Sequence, residues 1–315
     1  MRIVQLSTGL NPAGAERILL ELTLGLLARG HDLSVVSLMP PPAETPIVDG
    51  LTDAGVPVHS LDLKKSRPWE LGRLGPLLDQ LDPDIVHAHL FHAKIASRLF
   101  RRRRRYGVVS TVHLVEPRLR KRWLLLLDRL TFRWCDRETA VSKAVQRFHA
   151  NRLGVPPEQI PVVYNGIRPP TRLEASEREA LREEWGVSGC RHVVGSVGWL
   201  VEQKGFDLLL GMIPQIAATI PPGEQWGLVI LGDGPQMARL RRLAEAAPGN
   251  VTVRLPGFHP DAPRCIGAFD LFVMPSRFEG FGLTLAEAMG HGLPVLASDV
   301  DSLPELVALY PNGES

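Results

Sequence analysis

One stretch decides the reading of this chain: Pro275-Ser-Arg-Phe-Glu279-Gly280-Phe281-Gly282-Leu283-Thr-Leu-Ala-Glu287-Ala-Met-Gly290. The four apolar residues before it, 271–274, read as a buried strand that ends at Pro275. Glu279 then falls in a loop where Gly280 and Gly282 free the backbone to turn tightly. A helix begins near Leu283, and the N–H groups of its first turn carry partial positive charge, which suits them to phosphate. Glu287 comes eight residues after Glu279, about one turn into that helix. The two carboxylates therefore bracket an anion site without occupying it. A surface loop with a capping acid would account for one glutamate here. It does not account for two acids around a Phe-Gly turn that opens a helix of small residues.

Outward from this stretch, short Val- and Ile-rich runs alternate with helical patterns, the mark of parallel sheets built from βαβ units. Strands are expected at 2–7, 33–38, 56–61, 85–88, 108–113, 138–141 and 162–164, with helices at 14–28, 69–81, 92–101, 119–134 and 143–152. The Asn165-Gly-Ile-Arg-Pro-Pro segment interrupts the pattern as a turn and a stiff linker. The pattern then restarts, with strands at 192–198, 227–231, 251–255, 271–274 and 295–298 and helices at 206–220, 236–246 and 283–291. The expected architecture is α/β: two Rossmann-like, doubly wound parallel-sheet domains, 1–168 and 169–315, facing each other across a cleft. Ligands should sit outside the carboxyl ends of the strands.

Composition narrows the function classes. At 315 residues, with 44% hydrophobic and 22% charged, the chain can bury two ordinary globular cores. Cys135, Cys190 and Cys265 lie far apart with no CxxC pair, which argues against a zinc site or a disulfide framework and for a reducing cytoplasm. The opening MRIVQLSTG reads as a strand rather than a signal peptide, and no apolar run approaches the ~20 residues a membrane span needs. The net charge of +2 hides an asymmetry. Through Arg168 there are 25 Lys and Arg against 16 Asp and Glu, and beyond it 11 against 18. A basic first half suits an anionic surface or ligand, though two oppositely biased solvated faces would give the same count.

Several local patterns compete for a role. Gly9-x-x-x-x-Gly14 is not GxGxxG, which disfavours a dinucleotide site. His87, His89 and His92 lack a matching carboxylate and read as cleft-edge histidines rather than metal ligands. Asp299-Val-Asp301 has the spelling of a metal motif but not its placement, so no metal is expected. The arginines from Arg101 to Arg105, and the stretch from Arg118 to Trp134 in which cations interleave with Leu and Trp, could form a cationic amphipathic surface for an anionic membrane. A surface loop and a helix with an ordinary Leu core face is the plain alternative. Nucleic acid is disfavoured because no aromatic stacking platform accompanies the arginines.

The spacing of Glu279 and Glu287 within EGFGLTLAEAMGHGLPVLASD resembles the donor-binding signature of glycosyltransferase family 4, retaining enzymes of GT-B architecture. Asn11-Pro-Ala-Gly14-Ala-Glu16-Arg is similar to that family's Gly-Gly-Ala-Glu-Arg turn, with Ala13 in place of one glycine. Tyr164-Asn-Gly-Ile, Lys204-Gly-Phe-Asp and Leu231-Gly232-Asp-Gly-Pro match as well. The resemblance implies that Glu279, Lys204 and His113 act at the reacting centre, Lys204 against the leaving diphosphate and His113 near the donor sugar. It places Glu287 on the nucleotide ribose, and Gly280, Phe281, Gly282 and Leu283 on the sugar and diphosphate through their amides. Gly14, Gly198 and Gly232 belong to loops that approach the donor. Where the family has arginine beside Gly198, this chain has Trp199, and it stops at Ser315 where the family continues through further helices.

The implied function is transfer of a hexose from a nucleoside diphosphate sugar to a glycan or lipid-linked acceptor, in polysaccharide, lipopolysaccharide or other envelope assembly. No cofactor or metal is implied, the acceptor lies on the basic domain, and the location is cytoplasmic or peripheral at the inner face of the plasma membrane. A sugar-nucleotide 2-epimerase of the same architecture and an inactive nucleotide-sugar-binding paralogue are the alternatives.

Overall fold

The computed structural model describes residues 1–42, 45–64, 66–101, 105–114 and 122–309. Arg102, Arg103 and Arg104 of the arginine run, and positions 118–121 of the cationic stretch, lie outside the described residues. The chain divides into two compact units, Met1–Gly166 and Ile167–Ser315.

The first unit holds β1 (Arg2–Ser7), β2 (Asp32–Ser37), β3 (Val58–Ser60), β4 (Ile85–His89), β5 (Gly107–Val112) and β6 (Arg137–Ala140) in one sheet of order β3-β2-β1-β4-β5-β6. Every pairing is parallel. Its helices are α1 (Gly14–Leu27), α2 (Pro46–Asp53), α3 (Leu74–Leu81), α4 (Phe91–Arg101), α5 (Arg122–Phe132) and α6 (Lys143–Leu153). Both faces of the sheet are largely apolar, as expected of a parallel sheet covered by helices. Leu19, Val35, Ile47 and Leu51 pack one side, and Leu6, Leu74, Val86 and Val108 the other. The chain order reverses between β1 and β4, so the loops after those two strands flank the crevice where such sheets take ligands.

In the second unit β7 (His192–Val197), β8 (Trp226–Leu231), β9 (Val251–Gly257), β10 (Leu271–Met274) and β11 (Val295–Ala297) form a parallel sheet of order β11-β10-β7-β8-β9. Around it lie α7 (Ala175–Glu184), α8 (Phe206–Gly211), α9 (Ile213–Ala217), α10 (Met237–Ala244), α11 (Ala262–Cys265), α12 (Leu283–Gly290) and α13 (Leu303–Ala308). Here the reversal falls between β7 and β10. The loops carrying Lys204 and Glu279 follow those two strands.

Three expectations needed correction. The strand at 162–164 is a single bridge between Ala140 and Val162. The helix at 69–81 is a 3₁₀ segment, Pro68–Arg73, leading into α3. The helix at 206–220 is two, α8 and α9, because Pro214 sits in the first turn of α9 and cannot continue α8. Four helices were unforeseen: α2, α7, α11 and α13. At α2, Thr45 accepts from the Ile47 N–H with Pro46 at the first helical position. At α7, Glu174 and Glu177 form a reciprocal capping box.

Candidate functional site

The structure brings Lys204 and Glu279 together. Lys204 ends the short 3₁₀ turn Glu202–Lys204 after β7, and Glu279 lies in the loop after β10. Their Nζ and Oε2 atoms are 2.6 Å apart, and both side chains are largely withdrawn from solvent. The Ser276 hydroxyl also donates to Glu279 Oε2, at 3.3 Å. The Glu279 amide donates to Asp301 Oδ2 at 2.9 Å, and its carbonyl accepts from the Ser302 hydroxyl at 3.3 Å. Asp301, whose motif has the spelling but not the placement of a metal site, thus holds the backbone of Glu279 in place.

The two loops are laced to each other. Gln203 Nε2 donates to the Phe278 carbonyl at 3.1 Å, and the Arg277 amide donates to the Gln203 carbonyl at 2.7 Å. Arg277 grips both Asp207 oxygens, at 2.7 and 3.0 Å. That pairing holds Asp207 below its ordinary pKa, chiefly through the hydrogen bonds from Arg277. Gly205 makes this contact possible. Its φ is +65°, and a Cβ there would stand 2.0 Å from the Pro275 carbonyl oxygen. Gly232 allows a similar approach at the loop after β8, where a Cβ would lie 2.0 Å from the carbonyl oxygen of Gly198. Gly198 itself has room for a side chain, its nearest neighbour being the Phe206 ring at 3.4 Å.

Gly282, in a left-handed conformation, starts α12, and no side chain among the described residues caps that helix. Gly280, Phe281 and Gly282 are buried and Leu283 partly so. The Phe281 ring belongs to the core, so this turn can offer a ligand its backbone rather than its ring. Glu287 is buried on the second turn of α12. Trp199 is 57% exposed and brings no cation.

His113 lies in the other unit, just past β5. It is buried, and its Nε2 is 2.9 Å from His89 Nδ1, while His89 Nε2 is 2.8 Å from Gln5 Oε1. His87 meets Thr111 Oγ1 at 2.8 Å. Burial pushes His113 down to about 3 and His87 to about 4, and holds His89 well below its usual range, with neighbouring imidazoles adding to the effect. All three rings are neutral near pH 7. His89 is therefore interior rather than at an edge, and Gln5 is a partner the sequence did not announce. Gly14 is exposed at the start of α1, and Glu16 behind it is buried, its pKa raised to about 7 by desolvation.

Sequence reasoning also missed a buried ion cluster between α4, α5, β6 and α6. Lys94 Nζ lies 3.0 Å from both Asp128 Oδ2 and Glu138 Oε1, and Arg98 pairs with Asp128 at 2.8 Å and Glu138 at 2.7 Å. His149 completes it, 3.2 Å from Lys94 Nζ. Lys94 and Arg98 together overcome the desolvation of Glu138 and keep it ionised. The cluster borders a pocket lined by Leu90, Lys94, His113, Leu114 and His149 among others. Asp128 stands inside the stretch read as cationic, so that segment is not uniformly basic. On α5, Trp123, Leu126 and Leu130 are exposed, with Arg122, Arg129 and Arg133 beside them. Among the described residues no group of three or more His, Cys, Asp or Glu could hold a metal ion, and no helix is long and apolar enough to cross a membrane.

The family model for Glycosyltransferase Family 4 matches residues 12–169, half of the chain. The chain belongs to glycosyltransferase family 4. A second model, Glycosyl transferases group 1, matches residues 191–313, the stretch that carries Lys204, Glu279 and Glu287. Among curated relatives, the lipopolysaccharide core biosynthesis mannosyltransferase LpsB of Rhizobium meliloti is 34% identical over 151 residues, which cover 46% of this chain and 42% of that protein. A glycogen synthase of Halorhodospira halophila is 36% identical over 140 residues, 44% of this chain and 29% of its own. The chain thus spans less than half the length of these relatives in the matched region. Among solved structures, Anabaena HepE in complex with UDP-glucose superposes with a TM-score of 0.81 at 23% identity, covering 96% of this chain and 82% of that one. WaaG, a glycosyltransferase involved in lipopolysaccharide biosynthesis, gives 0.71 at 18%, covering 97% and 84%. At those identities the likeness establishes the fold, GT-B with two Rossmann-like domains.

Proposed function

We propose that this family 4 chain is a retaining hexosyltransferase that uses a nucleoside diphosphate sugar, with the donor on the second unit and a glycan or lipid-linked acceptor on the basic first unit. The observation that carries the reading is the Lys204–Glu279 pair at the reversal point of the second sheet, beside the glycine-started helix α12. The mannosyltransferase and glycogen synthase relatives, and HepE with its UDP-glucose, agree with that substrate class. Breaking the bond between the sugar's C1 and the diphosphate leaves negative charge on the phosphate oxygens. The Lys204 ammonium and the α12 amides stabilise that charge, and Glu287 accepts from the ribose hydroxyls. The acceptor oxygen forms the new bond to C1 on the same face, and its proton passes to the departing diphosphate. Glu279 orients Lys204 and accepts from the hexose. No metal or cofactor enters this scheme.

Calorimetry with UDP, GDP and ADP tests it. One nucleotide should bind, and Lys204→Ala should weaken it about tenfold or more. Glu279→Gln releases the ammonium from its carboxylate, so nucleoside diphosphate should bind a few-fold tighter while transfer slows. Nucleotide binding indifferent to Lys204 would remove the basis of the reading. Conversion of the sugar without acceptor would mark an epimerase, and binding without turnover an inactive paralogue.

We also propose that α5 rests on anionic lipid at the cytoplasmic face of the membrane, through Trp123, Leu126 and Leu130 with their arginine neighbours. Co-sedimentation with phosphatidylglycerol vesicles, but not phosphatidylcholine, should be lost in Trp123→Ser/Leu126→Ser. Unchanged sedimentation of the double variant would rule this out.

A further inference from the structure

The orientation of the Gln5 amide, with Oε1 facing His89 and Nε2 without a partner among the described residues, sets where the protons sit in the first unit. Gln5 Oε1 is a carbonyl-type oxygen and can only accept, so His89 Nε2 carries a hydrogen and donates to it at 2.8 Å. A neutral imidazole has one N–H, which leaves His89 Nδ1 as an acceptor. His113 Nε2, 2.9 Å away, must then be the donor in that contact. Since His113 is neutral as well, its hydrogen is used up at Nε2 and its Nδ1 bears only a lone pair. Burial of His89 at 1% exposure and of His113 at 7% keeps both rings uncharged. The chain from β1 through β4 to the end of β5 is three residues long, and each member sits on a different strand or strand end.

The backbone beside this relay is also unusual. Leu90, directly after His89, has φ +69°, a left-handed conformation that a leucine adopts only at an energetic cost. Both Leu90 and His113 line the pocket at the carboxyl ends of β4 and β5.

We infer that Gln5 and His89 are positioning residues that lock His113 in its Nε2–H tautomer, so that His113 offers the ligand an obligate hydrogen-bond acceptor. At that point the site takes a hydroxyl donor, as a sugar or polyol presents, and is unfavourable to a deprotonated phosphate oxygen, which would set lone pair against lone pair. The inference rests on the glycosyl-transfer reading for what the ligand is, but not for the relay itself.

Nitrogen-15 NMR of histidine-labelled full chain tests the relay directly, because protonated and unprotonated ring nitrogens resonate far apart. The expected spectrum has His113 Nε2 protonated and Nδ1 bare. In Gln5→Leu, His89 is released and His113 should show both tautomers. Adding His89→Asn to Gln5→Leu places a side-chain carbonyl where Nδ1 was and should restore the single Nε2–H form. Hexosyl transfer should fall roughly tenfold in kcat in Gln5→Leu, with KM for the donor nucleotide nearly unchanged and recovery in the double variant, on the scale seen for residues that orient others. A wild-type spectrum with Nδ1 protonated, which would need the Gln5 amide turned around, overturns the inference. So does a Gln5→Leu spectrum identical to wild type. A chain that binds no nucleoside diphosphate would instead defeat the transferase reading and leave the spectra to decide the relay.

Discussion

Glu16 offers the clearest quantitative test of how the first unit is built. It lies in the first turn of α1, 5% exposed, and desolvation raises its pKa from the ordinary 4.5 to about 7. Two influences favour the charged form: a hydrogen bond from its own backbone and the positive end of the helix, the latter worth about 0.3–1 kcal/mol. Burial outweighs both. Between pH 4.5 and 7 the folded state holds a proton that the unfolded chain has released, so stability falls as pH rises through this window and the full penalty is present above it. A shift of this size corresponds to about 3 kcal/mol, since each pH unit is worth ~1.4 kcal/mol. Glu16→Gln removes the ionisable group and keeps the shape. Urea unfolding at pH 4, 5, 6, 7 and 8 should show the variant equal to wild type at the acid end and about 2–3 kcal/mol more stable at pH 8. Comparing the pair at each pH cancels the histidines, which titrate in the same range. A difference that does not change with pH would show that folding does not shift Glu16, and a Gln variant less stable relative to wild type at pH 8 than at pH 4 would show that the carboxylate is charged and stabilising in the fold.

Three further outcomes follow from the geometry. Arg98→Met strips Asp128 and Glu138 of a buried partner and should cost roughly 3–5 kcal/mol by chemical unfolding, because the remaining charges keep their desolvation penalty. Gly205→Ala places a Cβ against the Pro275 carbonyl in a left-handed turn and should destabilise the second unit by roughly 2 kcal/mol or more, with nucleotide binding reduced in the same variant. The buried histidines act in the sense opposite to Glu16. With His87 lowered to about 4 and His113 to about 3, their contribution is complete above pH 6.5 and is lost as pH falls through that range, so His87→Gln should lessen acid sensitivity measured by circular dichroism.

The sheets were legible because strands buried on both faces are dominated by apolar residues, with a few buried polar exceptions such as Gln5 and His89. The expected strand 2–7 coincides with β1, and 271–274 with β10. Among the helices that escaped notice, α2 spaces Ile47 and Leu51 on one buried face but runs only from Pro46 to Asp53, and α7 is mostly polar; the caps, Thr45-Pro46 and Glu174 with Glu177, are their clearer marks. Candidate site residues can be named from sequence where a motif keeps them close together, as with Glu279 and Glu287, both of which the structure buries. Pairings were not. Lys204 meets Glu279 across 75 residues and His89 meets Gln5 across 84, and no spacing rule carries information over such distances. Charge counting failed for the same reason. Asp128 within the cationic stretch is the shared acid of Lys94 and Arg98, which no composition reveals.

The exposed indole of Trp199 bears on how the second unit could hold a diphosphate. The family resemblance leads one to expect an arginine there, supplying a second cation beside Lys204. Arg277 sits in the adjoining loop, but both of its terminal nitrogens are engaged by Asp207, and one also donates to the Glu202 carbonyl at 2.8 Å. That arginine works as a clasp between loops. Pulling it toward a ligand would break a bidentate charge-assisted pair and loosen the turn that presents Lys204. Lys204 is itself shared with Glu279, so an incoming diphosphate must compete with a carboxylate already 2.6 Å from the ammonium. Competition of this kind weakens binding of the ground state. Under the proposed transfer it would cost less in the transition state, where growing charge on the leaving group would draw Lys204 away from Glu279 and free that carboxylate to accept from the sugar. An ammonium held between two acceptors, rather than committed to one, is therefore suited to stabilising charge as it develops.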